Sequence, residues 1–554
     1  MGLSYGLTNP AAFMKQYEIY PDLFKFYTVV PTRSTESSAS SQRRPVLYTS
    51  LSGGGGWKYE SQSGDFYYVN YGGNFYFNSE NYHLEAWAHK STSSSYGAYK
   101  AACGVTETLS GIKLSQQNWS TSSVVAYNTT NQPSREVCKS FGANSNRYFC
   151  IKEGGGYAYN DSPWSTANWT VTSFNSSFTM NDDGGFKHIC VNPEKDHDAL
   201  VYFVTNDSNK YIRICLCNLS DLAVAKDYTS TIFGSTTLKQ TDYKYLSIDY
   251  SPYIGGYIIF YNKSGNTRIC RRILYIRDPS TGNPYAWNDY HASGEHAFGP
   301  SGTQLVQYGS HGWYCPWTKE YFLVGSANAV FWTKDGTNWY MSPSRTDAST
   351  STACVKFLTD GTNMIIATSG SAYYYSMDKG QTWSSGTALS PNGFNTNRST
   401  DTIVLPFKCT NNIGIDTSQI VLGQFYGGNG NIGSLATNFR LDAYIPVDPS
   451  TNYVFYGKNK ETGKISHSNR ISFYDSNYTF ISRIDSNSQV GKGANTHFPV
   501  IATAPSNAAY ARICCRLDDS SAAVTQEMVD ACKWYFAKED DFKVMTNYGD
   551  IVVN

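Results

Sequence analysis

Ser376-Met-Asp378-Lys-Gly380-Gln-Thr382-Trp383 is the stretch whose reading decides the fold. A tight turn leaves backbone N–H groups without partners, and a short acceptor such as Asp378 can collect them. The turn also needs a residue at ease with positive φ, and Gly380 adopts it without a Cβ clash. Ser376 adds a local hydrogen bond. Trp383 opens the next strand with a large apolar plate to bury.

Thr333-Lys-Asp335-Gly336-Thr-Asn-Trp339 is the same turn shortened by one residue. Asp335 and Asp378 lie 43 residues apart, and so do Tyr321 and Met364, which open the apolar runs before each turn. That lag fits one four-stranded propeller blade of about 40–45 residues. Each unit reads as apolar strand, Gly/Ser turn, aromatic strand, Asp turn and Trp-initiated strand. Fainter echoes run towards the N-terminus. Tyr148-Phe-Cys-Ile151, Gly154-Gly-Gly-Tyr157 and Asn160-Asp161 leading to Trp164 keep the order of elements. In two further units Arg213 follows Tyr202, and Arg268 follows Tyr257, by 11 positions each.

The Ser-x-Asp-x-Gly-x-Thr-Trp pattern resembles the Asp box of sialidase-like β-propellers. In that family Asp boxes staple turns away from the catalytic face. The resemblance therefore implies structural turns for Ser376, Asp378, Gly380 and Trp383, and for Thr333, Asp335, Gly336 and Trp339. Roughly 340 residues between about 60 and 400, at about 45–50 per blade, give six to eight blades, and seven is the expected count.

Composition agrees with an all-β chain. Of 554 residues, 15% are aromatic, with 45 Tyr and 12 Trp, and 16% are charged. Tyr, Thr, Val, Ile and Trp favour strands, while Gly, Asn and Ser supply turns. Two short helical candidates remain, at 10–20 and 525–536. Equal numbers of basic and acidic residues, 44 each, argue against a nucleic acid or an anionic membrane as partner. No 18-residue apolar run suits a membrane span. Met1-Gly-Leu-Ser-Tyr lacks the marks of a signal peptide, so assembly in a cytoplasm is expected. The 13 cysteines, among them Cys150, Cys190, Cys215 and Cys270, are read as buried thiols. Cys215-Leu-Cys217 and Cys514-Cys515 lack zinc-site spacing, and neither a metal nor a cofactor is expected.

The pattern changes after about residue 405. Asn429-Gly-Asn-Ile-Gly433 reads as a linker or the start of a strand. Beyond it come alternating runs, among them Ile471-Ser-Phe-Tyr-Asp475 and Pro505-Ser-Asn-Ala-Ala-Tyr-Ala-Arg-Ile513. Their order is similar to the carbohydrate-binding-type jelly rolls of bacteriophage structural proteins. The expected sandwich turns Phe473, Ile481 and Ile513 to its core. Three units follow: an N-terminal attachment segment (1–59), an Asp-box β-propeller (60–404) and a C-terminal β-sandwich (405–554). The run Ala39-Ser-Ser-Gln-Arg-Arg44 and the glycines 53–56 read as a flexible joint.

Together these parts resemble a bacteriophage tail-fibre or receptor-binding protein. The resemblance implies a virion location after synthesis in the host cytoplasm and a bacterial surface glycan as ligand. It also implies other tail or capsid proteins as partners through the N-terminal segment. Weak contacts of this kind gain avidity from several copies, so a homo-oligomer, with a trimer favoured, is expected. Ligand loops are expected in the densest aromatic segments, at Trp287, Tyr290, Trp313, Tyr314 and Trp317, where rings can stack on sugars or else fill gaps between blades. Two alternatives stay open. One is a glycoside hydrolase, for which Asp249, Asp289 and Glu295 offer carboxylates but the family's early Arg-Ile-Pro motif is missing. The other is a purely structural virion component, a head fibre or tail adaptor.

Overall fold

In a computed structural model the described residues are 21–31, 45–51, 58–62, 75–78, 83–91, 96–104, 109, 137–139, 148–152, 156–160, 170–173, 188–191, 198–205, 208–218, 225–286, 289–305, 313–315, 318–325, 329–343, 356–359, 364–367, 373–376, 378–385, 402–489, 497–517 and 522–544. The chain is all-β and propeller-like, a succession of small antiparallel meanders.

The meanders follow chain order. The first three strands are β1 (Leu23–Pro31), β2 (Pro45–Ser50) and β3 (Lys58–Gln62). Next come β4 (Phe75–Asn78), β5 (His83–Ser91) and β6 (Tyr96–Gly104). A four-stranded sheet holds β7 (Val137–Lys139), β8 (Tyr148–Lys152), β9 (Gly156–Asn160) and β10 (Thr170–Ser173). Another holds β11 (His188–Val191), β12 (Asp198–Val204), β13 (Ile212–Asn218) and β14 (Ala225–Asp227). The fifth is β15 (Tyr243–Ser251), β16 (Gly256–Lys263), β17 (Ile269–Tyr275), β18 (His291–Ala292) and β19 (His296–Phe298). The two units of the 43-residue repeat form their own sheets. One comprises β20 (Trp313–Cys315), β21 (Glu320–Val324), β22 (Val330–Thr333) and β23 (Tyr340–Met341). The other comprises β24 (Lys356–Thr359), β25 (Met364–Ala367), β26 (Tyr373–Ser376) and β27 (Ser384–Ser385).

Successive sheets stack on one another, and β16 shows how. An unbroken apolar strand such as Tyr257-Ile-Ile-Phe-Tyr261 suits a position buried on both faces. Tyr257, Ile259 and Tyr261 pack against Leu200, Tyr202, Ile212 and Ile214 of the preceding sheet. Ile258 and Phe260 point the other way, into a cluster with Tyr321, Leu323 and Phe331 of the following one. First strands of neighbouring sheets also meet: β7 packs on β11, β11 on β15, and β20 on β24.

The strand β28 (Thr402–Cys409) does not belong to a new unit. It pairs antiparallel with β1 from Leu23↔Phe407 to Thr28↔Thr402 and packs on β4. Residues 23–31, 45–50 and 58–62 are thus strands of one sheet with 402–409, and the expected boundary at 404/405 falls inside β28. The glycines 53–56, the run 39–44 and the helical candidate 10–20 lie outside the described residues.

Beyond β28, two sheets enclose one core. The larger contains β29 (Ile420–Tyr426), β30 (Ile432–Leu441), β31 (Ile445–Pro446), β33 (His467–Tyr474), β34 (Phe480–Asp485) and β36 (Tyr510–Arg516). The smaller contains β32 (Asn452–Asn459), β35 (Val500–Thr503) and β37 (Cys532–Lys538). Phe439, Ile471, Phe473 and Ile513 from the first meet Tyr453, Phe455, Val500 and Phe536 from the second, with Ile481 at the margin. A last strand, β38 (Phe542–Val544), pairs with the far end of β28.

One local expectation needs correction and one is resolved. The helix at 525–536 is only Gln526–Asp530, capped by Thr525, whose hydroxyl accepts from Met528 N–H at 3.3 Å. From Cys532 the chain pairs with β32, because Trp534 and Phe536 gain more on the sandwich core than a second helical turn offers. Of the two readings of 429–433, the start of a strand holds: β30 begins at Ile432, and the residues before it turn the β29–β30 hairpin, with Gly430 at φ 80.

Asp22 joins the two halves. Its N–H donates to Phe407 O at 2.9 Å, and its carboxylate accepts from Cys409 N–H at 2.9 Å and Tyr535 Oη at 2.6 Å. Lys408 and Lys533 each reach that carboxylate at 3.3 Å. Tyr456 donates to the Asp22 carbonyl at 3.0 Å. Burial alone would raise the Asp22 carboxyl, but Tyr535, Cys409 and the two lysines together hold it below its ordinary value.

Candidate functional site

Both Asp turns have the geometry their residues call for. Asp378 Oδ1 accepts from Ser376 Oγ at 2.7 Å and Thr382 N–H at 2.9 Å, while Ser376 Oγ accepts from Gly380 N–H at 2.7 Å. Asp335 Oδ1 accepts from Thr337 and Asn338 N–H at 2.8 Å each, and Thr333 Oγ1 accepts from Gly336 N–H at 2.9 Å. Trp383 and Trp339 return their indole N–H to the carbonyls of Gly380 and Gly336, at 3.0 and 3.2 Å. Gly336 and Gly380 sit at φ 71 and 81.

These turns also fasten one sheet to the one before it. A Cβ on Gly336 would come within 2.9 Å of Ile273 Cδ1, and one on Gly380 within 2.9 Å of Ser342 Cβ. Lys379 pairs with buried Glu320 at 2.7 Å. Trp339 stacks on Phe298 with ring centres 4.0 Å apart and planes 8° apart. Their carboxylates are committed to the turns. Burial pushes Asp335 and Asp378 up, yet the donors around each carry it below its ordinary value.

Of the loop aromatics, Tyr290 is buried in an apolar cluster, its ring stacked on Tyr228 at 6.0 Å, so it serves packing. Trp313 and Tyr314 lie in β20, opposite Phe322 and Tyr321. Their side chains, like Trp287 and Trp317 entirely, fall outside the described residues. The three candidate acids are not brought together by any contact among the described residues. Asp249 accepts from Tyr321 Oη at 2.5 Å. Glu295 accepts from Tyr261 Oη at 2.8 Å and pairs with Lys263 and Arg272 at 3.3 and 3.8 Å. Asp289 is exposed.

An exposed aromatic surface does occur, on the sandwich. Between β33 and β34, Asp475 Oδ1 accepts from Asn477 and Thr479 N–H at 2.9 and 2.8 Å. The turn so fixed holds Tyr478 at φ 63, a conformation that costs a bulky residue on the order of 1–3 kcal/mol. Tyr478 is 53% exposed. Its ring stacks on Tyr510 (4.9 Å, 18°) and meets Tyr444 at 4.7 Å and 61°. Tyr444 in turn abuts Tyr474, which pairs across the strands with Tyr510.

Charged groups flank this platform. The Arg512 guanidinium lies 4.6 Å from the centre of the Tyr444 ring and 4.4 Å from that of Tyr426. Arg440 and Arg512 both donate to Oδ1 of Asp442, two residues before Tyr444. The Arg440 hydrogen bond and both positive charges hold the Asp442 carboxyl below its ordinary value. Flat aromatic faces beside a fixed, ionised acceptor suit a polyhydroxylated ring.

Sequence reasoning placed the ligand in the propeller-like part and missed this cluster. The signal was available: a tyrosine closes Asp475-Ser-Asn-Tyr478-Thr479, where a turn of this kind favours Gly or Asn.

No protein-family model matches the chain, and no curated protein matches it. Among solved structures, the periplasmic gluconolactonase PpgL of Pseudomonas aeruginosa is similar at 8% identity over 68% of this chain and 99% of its own, with a TM-score of 0.40. YCF48 from Cyanidioschyzon merolae aligns at 13% identity over 61% of this chain and 88% of its own, with a TM-score of 0.33. Sqt1 from Chaetomium thermophilum aligns at 10% identity over 68% and 82%, with a TM-score of 0.32. Likeness at this level transfers no activity. The all-β, propeller-like class rests on the strand pairings.

Proposed function

We propose that the chain is a virion appendage protein, of tail-fibre or receptor-binding type, that binds bacterial surface glycans during host adsorption. In this reading the meanders are seven blades of a ring joined through β1 and β28, and the two-sheet unit is a jelly roll. The supporting observation is the platform of Tyr444, Tyr478 and Tyr510, one of whose rings is exposed from a strained turn. An exposed aromatic held at a conformational cost is maintained for contact rather than for folding. Each such contact is weak, so several copies act together, a trimer by preference, attached to other tail or capsid proteins through the N-terminal segment. The virion would acquire the protein in the host cytoplasm.

Mass spectrometry of purified phage particles encoding the chain should find it among the structural proteins, and added recombinant protein should slow adsorption. A chain present in particles but unable to bind cells or slow adsorption would make it a structural component instead. Release of reducing ends from the bound polysaccharide would instead make it a glycoside hydrolase.

A further inference from the structure

We infer that the tyrosine platform takes a neutral pyranose, its C–H face laid on Tyr478 and one hydroxyl donated to Asp442 Oδ2. The inference rests on the glycan-binding reading and specifies its ligand.

Three observations carry it. First, Tyr478 occupies a left-handed position at φ 63 with 53% of its surface exposed. A glycine there would close the turn without strain, so the ring's value lies in what it offers outward. Second, Asp442 is an oriented acceptor. Arg440 and Arg512 both bind Oδ1, and among the described residues nothing hydrogen-bonds Oδ2. An ionised carboxylate only accepts, and a sugar hydroxyl is the donor that fits.

Third, the exposed charge at the rim is negative. The Asp442 side chain is 52% exposed, whereas those of Arg440 and Arg512 are 8% and 11% exposed. An incoming uronic acid or phosphorylated sugar meets the carboxylate first, while both guanidinium groups are already engaged with it. The carboxylate is the exposed charge at the platform's edge, and both guanidinium groups are spent on it, so an anion meets a negative group before any cationic donor.

The test uses the full chain on an array of neutral and acidic bacterial polysaccharides, with Tyr478→Gly, Asp442→Asn and Tyr340→Ala beside the wild type. Thermal unfolding of each variant confirms the fold. Wild type should bind at least one neutral polysaccharide, equally well at about 0.05 and 0.5 M salt, since a neutral ligand escapes screening. Tyr478→Gly should lose roughly tenfold in affinity. Asp442→Asn should lose several-fold on neutral ligands and raise the relative signal of acidic ones. Tyr340→Ala should bind like wild type, because that ring, 60% exposed on β23, is no part of the platform. Should Asp442→Asn fail to fold, the salt series and Tyr478→Gly still decide. A wild type that prefers acidic polysaccharides, or binding untouched by Tyr478→Gly, overturns this site and leaves the glycan reading standing. A wild type that binds nothing on the array removes both.

Discussion

The Tyr535 hydroxyl donates to the Asp22 carboxylate at 2.6 Å, linking two residues 513 positions apart. Asp22 immediately precedes the first strand of the propeller-like part, and Tyr535 lies on β37 of the sandwich. Burial, together with the Asp22 hydrogen bond and charge, drives the tyrosine hydroxyl far above its ordinary pKa, so it remains a donor at any working pH. One buried carboxylate thereby serves both units.

Asp22→Asn should destabilise the protein by about 2–4 kcal/mol, since it removes a buried charge that two lysines and a hydroxyl are arranged to meet. The sign with pH follows from the depressed Asp22 value. Its contribution is present above the unfolded carboxyl pKa of about 3.9 and is lost as pH falls through the lower folded value. Thermal unfolding of wild type and variant should differ by a constant amount from about pH 8 to 5 and converge below about 4. A gap that widens in acid would contradict this.

Gly380→Ala should cost about 2–3 kcal/mol, more than a glycine replaced in an open turn. The new methyl faces both a left-handed backbone and Ser342 Cβ at 2.9 Å. Gly265→Ala is the control: its φ of 80 is similar, but nothing lies within 4 Å of the added carbon. Chemical denaturation of both should give the larger loss at Gly380.

Trp339→Ala should cost about 3–5 kcal/mol, the range for removing a packed tryptophan. The indole is wedged among Phe298, Phe260 and Tyr321, which come from two consecutive sheets. Trp339→Phe should recover part of the loss, and urea unfolding would show the ranking. Equal stability of Trp339→Ala and wild type would mean that the stack is unimportant.

Tyr478→Gly should leave stability within about 1 kcal/mol of wild type. Relief of the left-handed strain offsets the lost ring pairs with Tyr510 and Tyr444. Differential scanning calorimetry supplies the number. A loss of about 3 kcal/mol or more would make Tyr478 a structural residue.

What was legible in the sequence was local. The Asp378 and Asp335 turns are closed by residues within five positions, so their residue types specified their geometry. The 43-residue lag marked two complete sheets for the same reason. The β1–β28 pairing was illegible because its partners, Leu23 and Phe407, meet only through the whole intervening chain. The helical candidate 525–536 runs into strand β37 from Cys532 because its apolar residues suit either period until the sandwich supplies a partner. The tyrosine platform assembles from Tyr444, Tyr474, Tyr478 and Tyr510, three separate strand ends brought together by the larger sheet. Tyr290 had the opposite fate, an aromatic in a polar-looking loop that the fold turns inward.

The pairing of β1 with β28 carries a cost in time. Asp22 and Lys408 are separated by 386 residues, which a ribosome adding about 5–20 residues each second needs roughly 20–80 s to make. Throughout that interval the nascent strand β1 has one edge unmatched, open to the wrong neighbour. Chaperone protection of β1 during synthesis is therefore the expected consequence of the distance along the chain to its partner strand.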